Sequence, residues 1–520
     1  MNMIMRHYGA CFLFFYLCFY VALSNEAEYF TAAVYEHARP SAQFVNLSEA
    51  TADDIIFENL AHYKRAVQIA KSKVADILVF PEYGIFPAHN RNEMKPYLER
   101  IPDPKKSRVN PCNEREKYQN RRILFSLSCM AKQHKIVIVA NMGGIESCKG
   151  QKECPEDGSY QFNTNVVFDR DGTLLLRYYK ERLFYELGMD LPPEQEDPTF
   201  VTDFGTFATF ISFDIMFAKM SAFAQRKQVD AIALSSMWIN IPPQTSSVQF
   251  WESWSLGYNT TLLAANIQIP GHYAVGSGIF RGADGPLAYT FNPDGVSKVV
   301  VARVPKRDYR LASRKASITE ITLDDVRESL NAGSSITTEC SVKVLGRSID
   351  ILKDFRCTEV DMINYSFVKL MKDSDHIESC INGVCCSLKY SSNKLTENFY
   401  LMVFNGSTDF YYRYSFCEQT CTLIRCEAYG RNPCSTFPMK SKTLFYDVQL
   451  AANFSTKDIF PSVVSSDMKL TSLTDWSFDV QETSSDAYQA YINFKSLAGE
   501  KLLSADLRGR CYDRDPPYIR

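Results

Sequence analysis

Cysteine is distributed very unevenly along the 520-residue chain, and this distribution constrains the possible folds more than any other sequence feature. Two of the 16 cysteines lie in the first 23 residues, four between residues 112 and 154, nine between residues 340 and 434, and one at position 511. None lies between residues 155 and 339. Dense cysteines are typical of disulfide-stabilised domains in secreted proteins. We therefore expect two structural units, of which only the C-terminal one depends strongly on disulfides.

The N-terminus has the pattern of a secretory signal peptide. Arg6 and His7 precede an apolar run from Tyr8 to Leu23, and small and polar residues follow it. A membrane anchor is the alternative, but the run is shorter than the ~20 residues that span a bilayer. We therefore predict a signal peptide over residues 1–24. Its removal leaves 14 cysteines, an even number that suits an oxidised, secreted protein.

Other features of the sequence agree with export. The last 20 residues are rich in charge and lack the hydrophobic tail of a lipid-anchor signal. We expect a secreted, extracellular protein without a membrane anchor. The five sequons for N-glycosylation are Asn46, Asn259, Asn364, Asn405 and Asn453. Of these, Asn259 lies in a helical pattern, so we expect it to be partly buried.

The net charge and the motifs exclude several classes of function. A net charge of −3 gives no reason to expect nucleic acid or an anionic membrane as a partner. None of the seven histidines has a metal-ligand spacing to cysteine or aspartate, and no nucleotide-binding motif is present. Cys417, Cys421 and Cys426 have a spacing compatible with zinc, but disulfides are the better explanation in a secreted chain. We expect no metal and no cofactor.

Residues 28–310 alternate between strand-like and helix-like segments, which is typical of an α/β domain. Beyond residue 330, short strand-like runs and Ser, Asn and Thr turns predict a mainly β domain held by disulfides. We place these domains at residues 26–310 and 330–520. The pattern predicts helices at 53–73 and 114–134. It predicts strands at 29–35, 76–80, 136–140, 165–168, 174–178, 207–213, 230–234, 274–280 and 400–404, the last bounded by a turn at Asn405-Gly406.

Three polar groups follow predicted strands of the first domain. Glu82 follows a buried strand, Lys180 follows a hairpin strand, and Ser212 lies at the end of a third strand. Functional groups collect at strand ends in α/β folds. Considered singly, each has an ordinary structural explanation. Glu82 could cap the next helix, Lys180 could be a solvated loop residue, and Ser212 could be a hydroxyl in a turn. Trp238 also follows a predicted strand. A tryptophan at this position is explained equally well by substrate binding and by core packing.

Together, in this order, these segments resemble the nitrilase (carbon–nitrogen hydrolase) superfamily, and more closely its vanin/biotinidase branch. The resemblance covers residues 26–310 strongly and the cysteine-rich remainder more loosely. It rests on the segments Asp76–Gly84, Tyr160–Asp169 with Tyr178–Lys180, Phe204–Phe207 with Phe213–Phe217, Thr260–Asn266 and Gly276–Ile279.

The resemblance implies a fold and a chemistry. The fold is a nitrilase-type αββα sandwich followed by a smaller, disulfide-rich, mainly β domain. The chemistry is hydrolysis of a linear amide: pantetheine to pantothenate and cysteamine, or amides and esters of biotin. Glu82 corresponds to the proton acceptor, Lys180 to the proton donor, and Glu186 to a second glutamate that positions the lysine. A small amide of the pantetheine or biotin type is the implied ligand.

The sequence departs from the family at the nucleophile. Ser212 occupies the position of the family's cysteine, and no neighbouring cysteine can replace it. The branch usually continues Phe-His-Asp-Pro, whereas this chain has Phe217-Ala218-Lys219-Met220. Two hypotheses follow. One is a non-catalytic or weakly active relative that binds such a ligand, or another protein, and the other is a genuine amidohydrolase that uses Ser212.

Overall fold

A computed structural model of the chain describes residues 28–38, 51–87, 90–226, 229–269, 274–307, 319–322, 355–357, 362–410, 413–429, 432–484 and 486–518. The predicted signal peptide, the sequon at Asn46 and Cys340 lie outside these residues. Within the described ranges, no helix is both long and apolar enough to cross a membrane.

The N-terminal half of the described chain is one large mixed sheet with helices on its faces. Its central strands run in the order β5-β4-β3-β2-β1-β9-β8-β7-β6, while β10–β13 pair at the sides. The helices are α1 (Ala52–Ser72), α2 (Arg91–Met94), α3 (Arg115–Tyr118), α4 (Arg122–His134), α5 (Ala218–Gln225) and α6 (Ser247–Tyr258). The strands are β1 (Tyr29–Ala38), β2 (Ile77–Val79), β3 (Val137–Ser147), β4 (Ser159–Phe168), β5 (Leu174–Tyr179), β6 (Thr199–Thr202), β7 (Gly205–Ile211), β8 (Ala231–Ser236), β9 (Thr261–Gln268), β10 (Ser277–Arg281), β11 (Pro286–Thr290), β12 (Lys298–Pro305) and β13 (Thr319–Thr322).

Strand β1 shows how the sequence builds two layers of core. Side chains of a strand alternate between its faces. Ala32 and Val34 therefore pack into the cluster between the two halves of the sheet, together with residues of β7 and β8. Ala33 and Tyr35 face the opposite way, onto α1 and α4. Because both faces are covered, β1 is apolar along most of its length, as in buried parallel sheets.

Several of the predicted element limits were wrong, and three of them concern a helix break, a strand end and a turn. The helix predicted at 114–134 is two helices, because Arg121 has a non-helical backbone (φ −100°, ψ 80°). The strand predicted at 207–213 ends at Ile211, and a 3-10 turn begins at Ser212. The turn predicted at Asn405-Gly406 is absent, since both residues continue a long strand and pair with Gln419 and Glu418.

The C-terminal region is built from three sheets in the residues that the structure describes. Two of them, β15-β18-β19-β27-β23-β24 and β16-β17-β22-β26-β25, pack face to face around one apolar cluster. The third is β14-β21-β20. The strands are β14 (Phe355–Cys357), β15 (Ser366–Lys369), β16 (Ser374–Ile381), β17 (Val384–Ser392), β18 (Phe399–Phe410), β19 (Tyr414–Arg425), β20 (Glu427–Tyr429), β21 (Asn432–Pro438), β22 (Phe445–Phe454), β23 (Ile459–Ser465), β24 (Lys469–Leu470), β25 (Trp476–Ser484), β26 (Ala487–Glu500) and β27 (Leu502–Arg510).

Disulfides connect elements in both regions. In the first, Cys112 bonds to Cys129 and Cys148 to Cys154. In the second, the pairs are Cys380–Cys385, Cys386–Cys421 and Cys426–Cys434, and the middle pair ties one sheet of the sandwich to the other. Cys421 and Cys426 are thus in disulfides, as predicted. Cys417 and Cys511 are buried thiols that lie against each other.

The described sequons lie in different surroundings. Asn259 is exposed, directly after the C-terminus of α6, so the expectation of partial burial was wrong. Asn364 and Asn453 are also exposed. Asn405 is half-buried, and its amide donates to the carbonyl of Asn382 at 2.7 Å.

Candidate active site

The ends of β2 and β8 meet across the sandwich and position Glu82. Both strands run in the parallel part of the sheet, so the residues that follow them emerge at the same edge. The backbone N–H of Glu82 donates to the carbonyl of Ser236 at 3.2 Å. In return, the backbone N–H of Met237 donates to Glu82 Oε2 at 2.9 Å. The carboxylate is thereby fixed from both halves of the sheet.

Lys180 lies between two carboxylates. It follows β5 directly, and its Nζ donates to Glu82 Oε1 at 2.7 Å and to Glu186 Oε2 at 2.6 Å. The side chains of Lys180 and Glu82 are each 2% exposed, and that of Glu186 is 7% exposed. The structure therefore brings together three of the residues selected from the sequence, although 98 positions separate Glu82 from Lys180.

Two further residues complete this group, and the sequence analysis gave neither of them a role. Asn163, on β4, donates its amide to Glu82 Oε1 at 2.7 Å and to Glu186 Oε1 at 2.6 Å. The hydroxyl of Tyr83 donates to the same oxygen of Glu186 at 2.6 Å. The sequence did contain a signal for Asn163. It is a polar residue two positions before Asn165, on a strand that is buried along most of its length. A buried amide needs hydrogen-bond partners, so such a residue indicates a polar neighbour.

Burial and mutual charge set the protonation of the group. Burial raises the pKa of Glu82, and Glu186 adds to this, while Lys180 opposes it. For Lys180, burial alone lowers the pKa, but the attraction of Glu186 and Glu82 outweighs it and the net pKa is raised. Lys180 therefore holds its proton at neutral pH between the two carboxylates. An ammonium in that place can give a hydrogen bond to a ligand oxygen.

Ser212 lies at the turn that follows β7. Its φ of 44° is in the left-handed region, which few residues other than glycine adopt, and it is 5% exposed. Asp214, two residues further, ties this turn to the segment after Lys180. Its carboxylate accepts from the N–H of Arg182 at 2.9 Å and from the hydroxyl of Tyr178 at 3.1 Å. Burial raises the pKa of Asp214 to about 7.

A narrow pocket lies at Ser212, and two of its lining residues form hydrogen bonds with the charged group. Phe184, Phe213, Met237 and Trp238 line it together with Ser212. Its volume is about 30 Å³, room for about two water molecules, so a larger ligand must displace lining side chains. Met237 gives its N–H to Glu82, and the N–H of Phe184 donates to Glu186 at 2.9 Å. The pocket therefore borders both Ser212 and the residues that hold Lys180.

Trp238 is packed in the core, as one of its two interpretations predicted, and a role in substrate binding stays a prediction. It lines the pocket with Ser212, yet it is only 5% exposed. Its indole N–H donates to the carbonyl of Thr245 at 2.7 Å, and its ring stacks on Phe250 with a centroid distance of 5.2 Å. Its orientation is consequently fixed by the core.

Residues from the C-terminal region hold the segment that carries Glu186. The hydroxyls of Tyr414 and Tyr518 both donate to the carbonyl of Leu183, at 3.2 and 2.7 Å. The N–H of Tyr185 donates back to the hydroxyl of Tyr414 at 2.9 Å. The sequence gave no sign of this contact, since the partners are more than 200 positions apart.

Lys219, at the second departure from the family pattern, forms an ion pair with Glu181. Within the described residues, no group of three or more His, Cys, Asp or Glu side chains is arranged to hold a metal ion.

Comparison with known proteins identifies the family. Residues 56–257 match the carbon–nitrogen hydrolase model, and residues 355–515 match the model of the vanin C-terminal domain. Pantetheinase of Homo sapiens is 32% identical over 507 residues, which cover 96% of this chain and 92% of the relative. Biotinidase of Homo sapiens is 31% identical over 510 residues, with 95% and 91% covered. The chain belongs to the vanin/biotinidase branch of the carbon–nitrogen hydrolase superfamily.

Membership of this branch confirms the predicted fold class, a nitrilase-type αββα sandwich followed by a smaller, disulfide-rich, mainly β domain. An amidase from Nesterenkonia sp. superposes on 55% of this chain and 94% of its own, with 20% identity and a TM-score of 0.39. A TM-score this low adds nothing to the family assignment.

Proposed function

We propose that this chain is a secreted vanin-like protein that binds linear amides of the pantetheine or biotin-amide type and hydrolyses them far more slowly than a cysteine enzyme would. The observation that supports this is the buried group of Glu82, Lys180 and Glu186 beside a pocket that Ser212 lines. The family resemblance assigns Ser212 to the nucleophile position. We place the amide-binding domain at residues 26–310 and the second domain at 330–520.

The retained group favours ligand binding. Removing two carboxylates and an ammonium from water costs several kcal/mol per ion. Apolar residues of similar size could replace such a group at little cost to stability. The presence of the charged group therefore indicates a function other than stabilisation. Met237 and Phe184, which hold Glu82 and Glu186 through backbone N–H groups, also line the pocket. The charged group is therefore next to the residues that an amide in the pocket would contact.

The serine limits catalysis. A cysteine thiol has a reference pKa near ~8.5, and an adjacent ammonium lowers it further. A serine hydroxyl is far less acidic and attacks only as a base removes its proton. Glu82 is the available base, but Oε1 already accepts from Lys180 and Asn163, and Oε2 accepts from Met237. These hydrogen bonds oppose the rise in the pKa of Glu82 that burial causes, and both oxygens must release a donor before they can take the proton of Ser212.

The experiment compares purified wild-type protein with Ser212→Cys and Ser212→Ala, using pantetheine and a biotin amide as substrates. We expect binding of each substrate by all three proteins, slow hydrolysis by the wild type, and a clear rise in rate for Ser212→Cys. If Ser212→Cys is no faster, Ala218 and Lys219 are the next residues to change, to histidine and aspartate. If none of the proteins binds either amide, the proposal is wrong.

The alternative is a genuine serine amidohydrolase, and the backbone of Ser212 favours it. A non-glycine residue with φ of 44° costs free energy, and such conformations often occur at active sites. Turnover by the wild type at ordinary rates of ~1–1000 per second, abolished in Ser212→Ala, establishes this alternative.

Secretion is a proposal supported by the N-terminal sequence and by the disulfides. Oxidised cysteine pairs are rare in the cytosol, and both regions of the chain contain them. Expression of the full chain in animal cells tests it. We expect the protein in the medium, cleaved near residue 24 and reduced in mass by removal of N-linked glycans. Retention of an intact N-terminus in the membrane fraction contradicts the proposal.

A further inference from the structure

A second cavity, separate from the Ser212 pocket, lies where the N-terminal and C-terminal regions meet. Its volume is about 210 Å³, and it shares no lining residue with the Ser212 pocket. Phe213 lies between the two, because it lines the Ser212 pocket and contacts Phe217 of the second cavity with ring centroids 5.2 Å apart.

Two arginines in this cavity lack a carboxylate partner. In the described part of the chain, Arg182 and Arg413 form no ion pair, and both line the cavity. Aromatic rings hold them instead. The guanidinium of Arg182 lies 5.0 Å from the ring of Phe217 and 5.3 Å from that of Tyr518. The guanidinium of Arg413 lies 5.2 Å from the ring of Tyr185. Such stacking orients a guanidinium without neutralising its charge.

The acidic groups at the cavity are already neutralised. Asp515 accepts from Arg510 through both oxygens, at 3.0 and 2.9 Å. Glu181 is paired with Lys219. Counting these four charges with Arg182 and Arg413, four cations face two carboxylates, which leaves a charge of +2 at the cavity.

The N-terminus of α5 adds to the positive potential. This helix begins at Ala218, which lines the cavity, and Phe217 before it provides no side-chain cap for the first N–H groups. Uncapped helix N-termini favour anions. The same segment departs from the family pattern Phe-His-Asp-Pro. Alanine in place of histidine makes space at the cavity, and Lys219 in place of aspartate removes a negative charge and adds a positive one.

We propose that this cavity binds a small organic phosphate monoester. Two guanidinium groups and a helix N-terminus suit a phosphate group, whose charge of about −2 at neutral pH matches the excess charge of the cavity. The apolar part of the ligand packs against the rings of Phe217, Phe416 and Tyr518, which also line the cavity. The size fits as well, since a cavity of about 150 Å³ already holds benzene.

The test is calorimetric titration of the full-length protein with phenyl phosphate, inorganic phosphate, benzoate and benzyl alcohol. We expect phenyl phosphate to bind more tightly than the other three and its affinity to fall as salt increases. Arg413→Gln and Lys219→Asp should each weaken its binding about tenfold or more, because each removes a positive charge from the cavity. Arg108→Gln is the matched control: this arginine is 77% exposed, lies elsewhere on the surface, and should leave the binding of phenyl phosphate unchanged.

Several outcomes would overturn the proposal. Absence of binding at about 10 mM phenyl phosphate, or equal binding of benzyl alcohol, shows that the cavity is not an anion site. Equal affinity for benzoate shows that it does not select a phosphate, and equal affinity for inorganic phosphate shows that the rings have no role. Thermal unfolding without ligand verifies that each variant is folded. Undiminished binding in both Arg413→Gln and Lys219→Asp places the ligand elsewhere.

Discussion

Lys180 is the residue on which the stability of the active-site group depends. Its ammonium is the cation that both Glu82 and Glu186 contact, and all three side chains are almost completely buried. Removing one partner of such a group leaves uncompensated charge in the interior, which costs far more than the loss of a surface ion pair.

We expect Lys180→Met to lower the free energy of unfolding by about 3–5 kcal/mol at neutral pH. The loss should become smaller as the pH is lowered, because the two carboxyl groups can then bind protons and remain buried as neutral groups. Denaturant unfolding at several pH values measures this. Lys117→Met is the control, since it breaks an exposed pair with Glu114 and should have a far smaller effect on stability. Equal losses in the two variants would contradict the argument.

Glu252 presents the opposite case, a buried acid whose carboxyl oxygens have no hydrogen bond among the described residues. It is 0% exposed on α6, the helix that packs against β23 of the second domain. Burial raises the pKa of Glu252 well above its ordinary value. The folded protein therefore binds this proton more tightly than the unfolded chain, so the contribution of Glu252 to stability falls as the pH rises above the unfolded-state pKa of ~4.3.

We expect Glu252→Met to stabilise the protein by about 1–3 kcal/mol at pH ~7.5, since it removes an unsatisfied buried group of similar size. The stabilisation should shrink as the pH falls toward ~4, because the carboxyl is then largely protonated in the unfolded chain as well as in the folded protein, where its pKa is raised. Melting temperatures of the two proteins across this pH range provide the measurement. A stabilisation that does not depend on pH would show that Glu252 is not the titrating group.

The sequence identified Glu82, Lys180, Glu186 and Ser212 because each lies in a segment that resembles the family. The sequence analysis assigned no role to Asn163 and Tyr83, although both belong to the same hydrogen-bond network. Neither carries a charge, and their partners are 81 and 103 positions away. Contacts of this kind depend on how the strands are ordered in the sheet, which local sequence patterns do not contain.

At the scale of elements, strand pairing overrides local turn preference. Asn-Gly is a strong turn signal when it stands alone. In β18, however, Asn405 and Gly406 continue a twelve-residue ladder with β19, whose other strand neighbour is β27. The helix prediction at 53–73 succeeded for the opposite reason. Its capping box at Thr51 and its apolar periodicity are both local signals.

The segment between Lys180 and Met189 depends for its position on hydrogen bonds from residues that are distant in the sequence. Tyr414 and Tyr518 fix it through the carbonyl of Leu183. We expect the double variant Tyr414→Phe/Tyr518→Phe to increase hydrogen exchange in residues 181–189 and to weaken amide binding, because Glu186 loses its support. Each hydrogen bond contributes about 0.5–1.5 kcal/mol, so global stability should change little. Tyr446→Phe, at a tyrosine that is 37% exposed in β22, is the control and should change neither exchange nor binding. Unchanged exchange in the double variant would show that packing alone holds the segment.

For the molecule as a whole, the C-terminal region supports the segment of the candidate active site that carries Glu186. Glu82, Lys180 and Ser212 all belong to the sandwich, whereas Tyr414 and Tyr518 reach it from outside. The cysteine distribution predicted that two units exist. It could not predict that the chain end returns to the first unit, because this depends on where β27 lies in its sheet.

The pair Cys417 and Cys511 decides how firmly that chain end is attached. Both thiols are buried, they share a hydrogen bond, and the N–H of Cys511 donates to the carbonyl of Cys417 at 3.1 Å. Cys511 immediately precedes the segment that carries Tyr512, Asp515 and Tyr518 to the interface. We expect mass spectrometry of the secreted protein under non-reducing conditions to find these two cysteines joined. Replacing both by serine should lower the stability by about 2–4 kcal/mol, as a cross-link over a long loop restricts the unfolded chain.

The matched control is the double serine variant of Cys148 and Cys154, whose loop spans only 6 positions and should therefore contribute less. If the Cys417–Cys511 bond ties down the chain end, its loss should also raise hydrogen exchange in residues 181–189, through the contact of Tyr518 with Leu183. The control should leave that exchange unchanged. Free thiols at Cys417 and Cys511 in protein collected from the medium would exclude the bond, and would show that packing and hydrogen bonds alone hold the chain end in place.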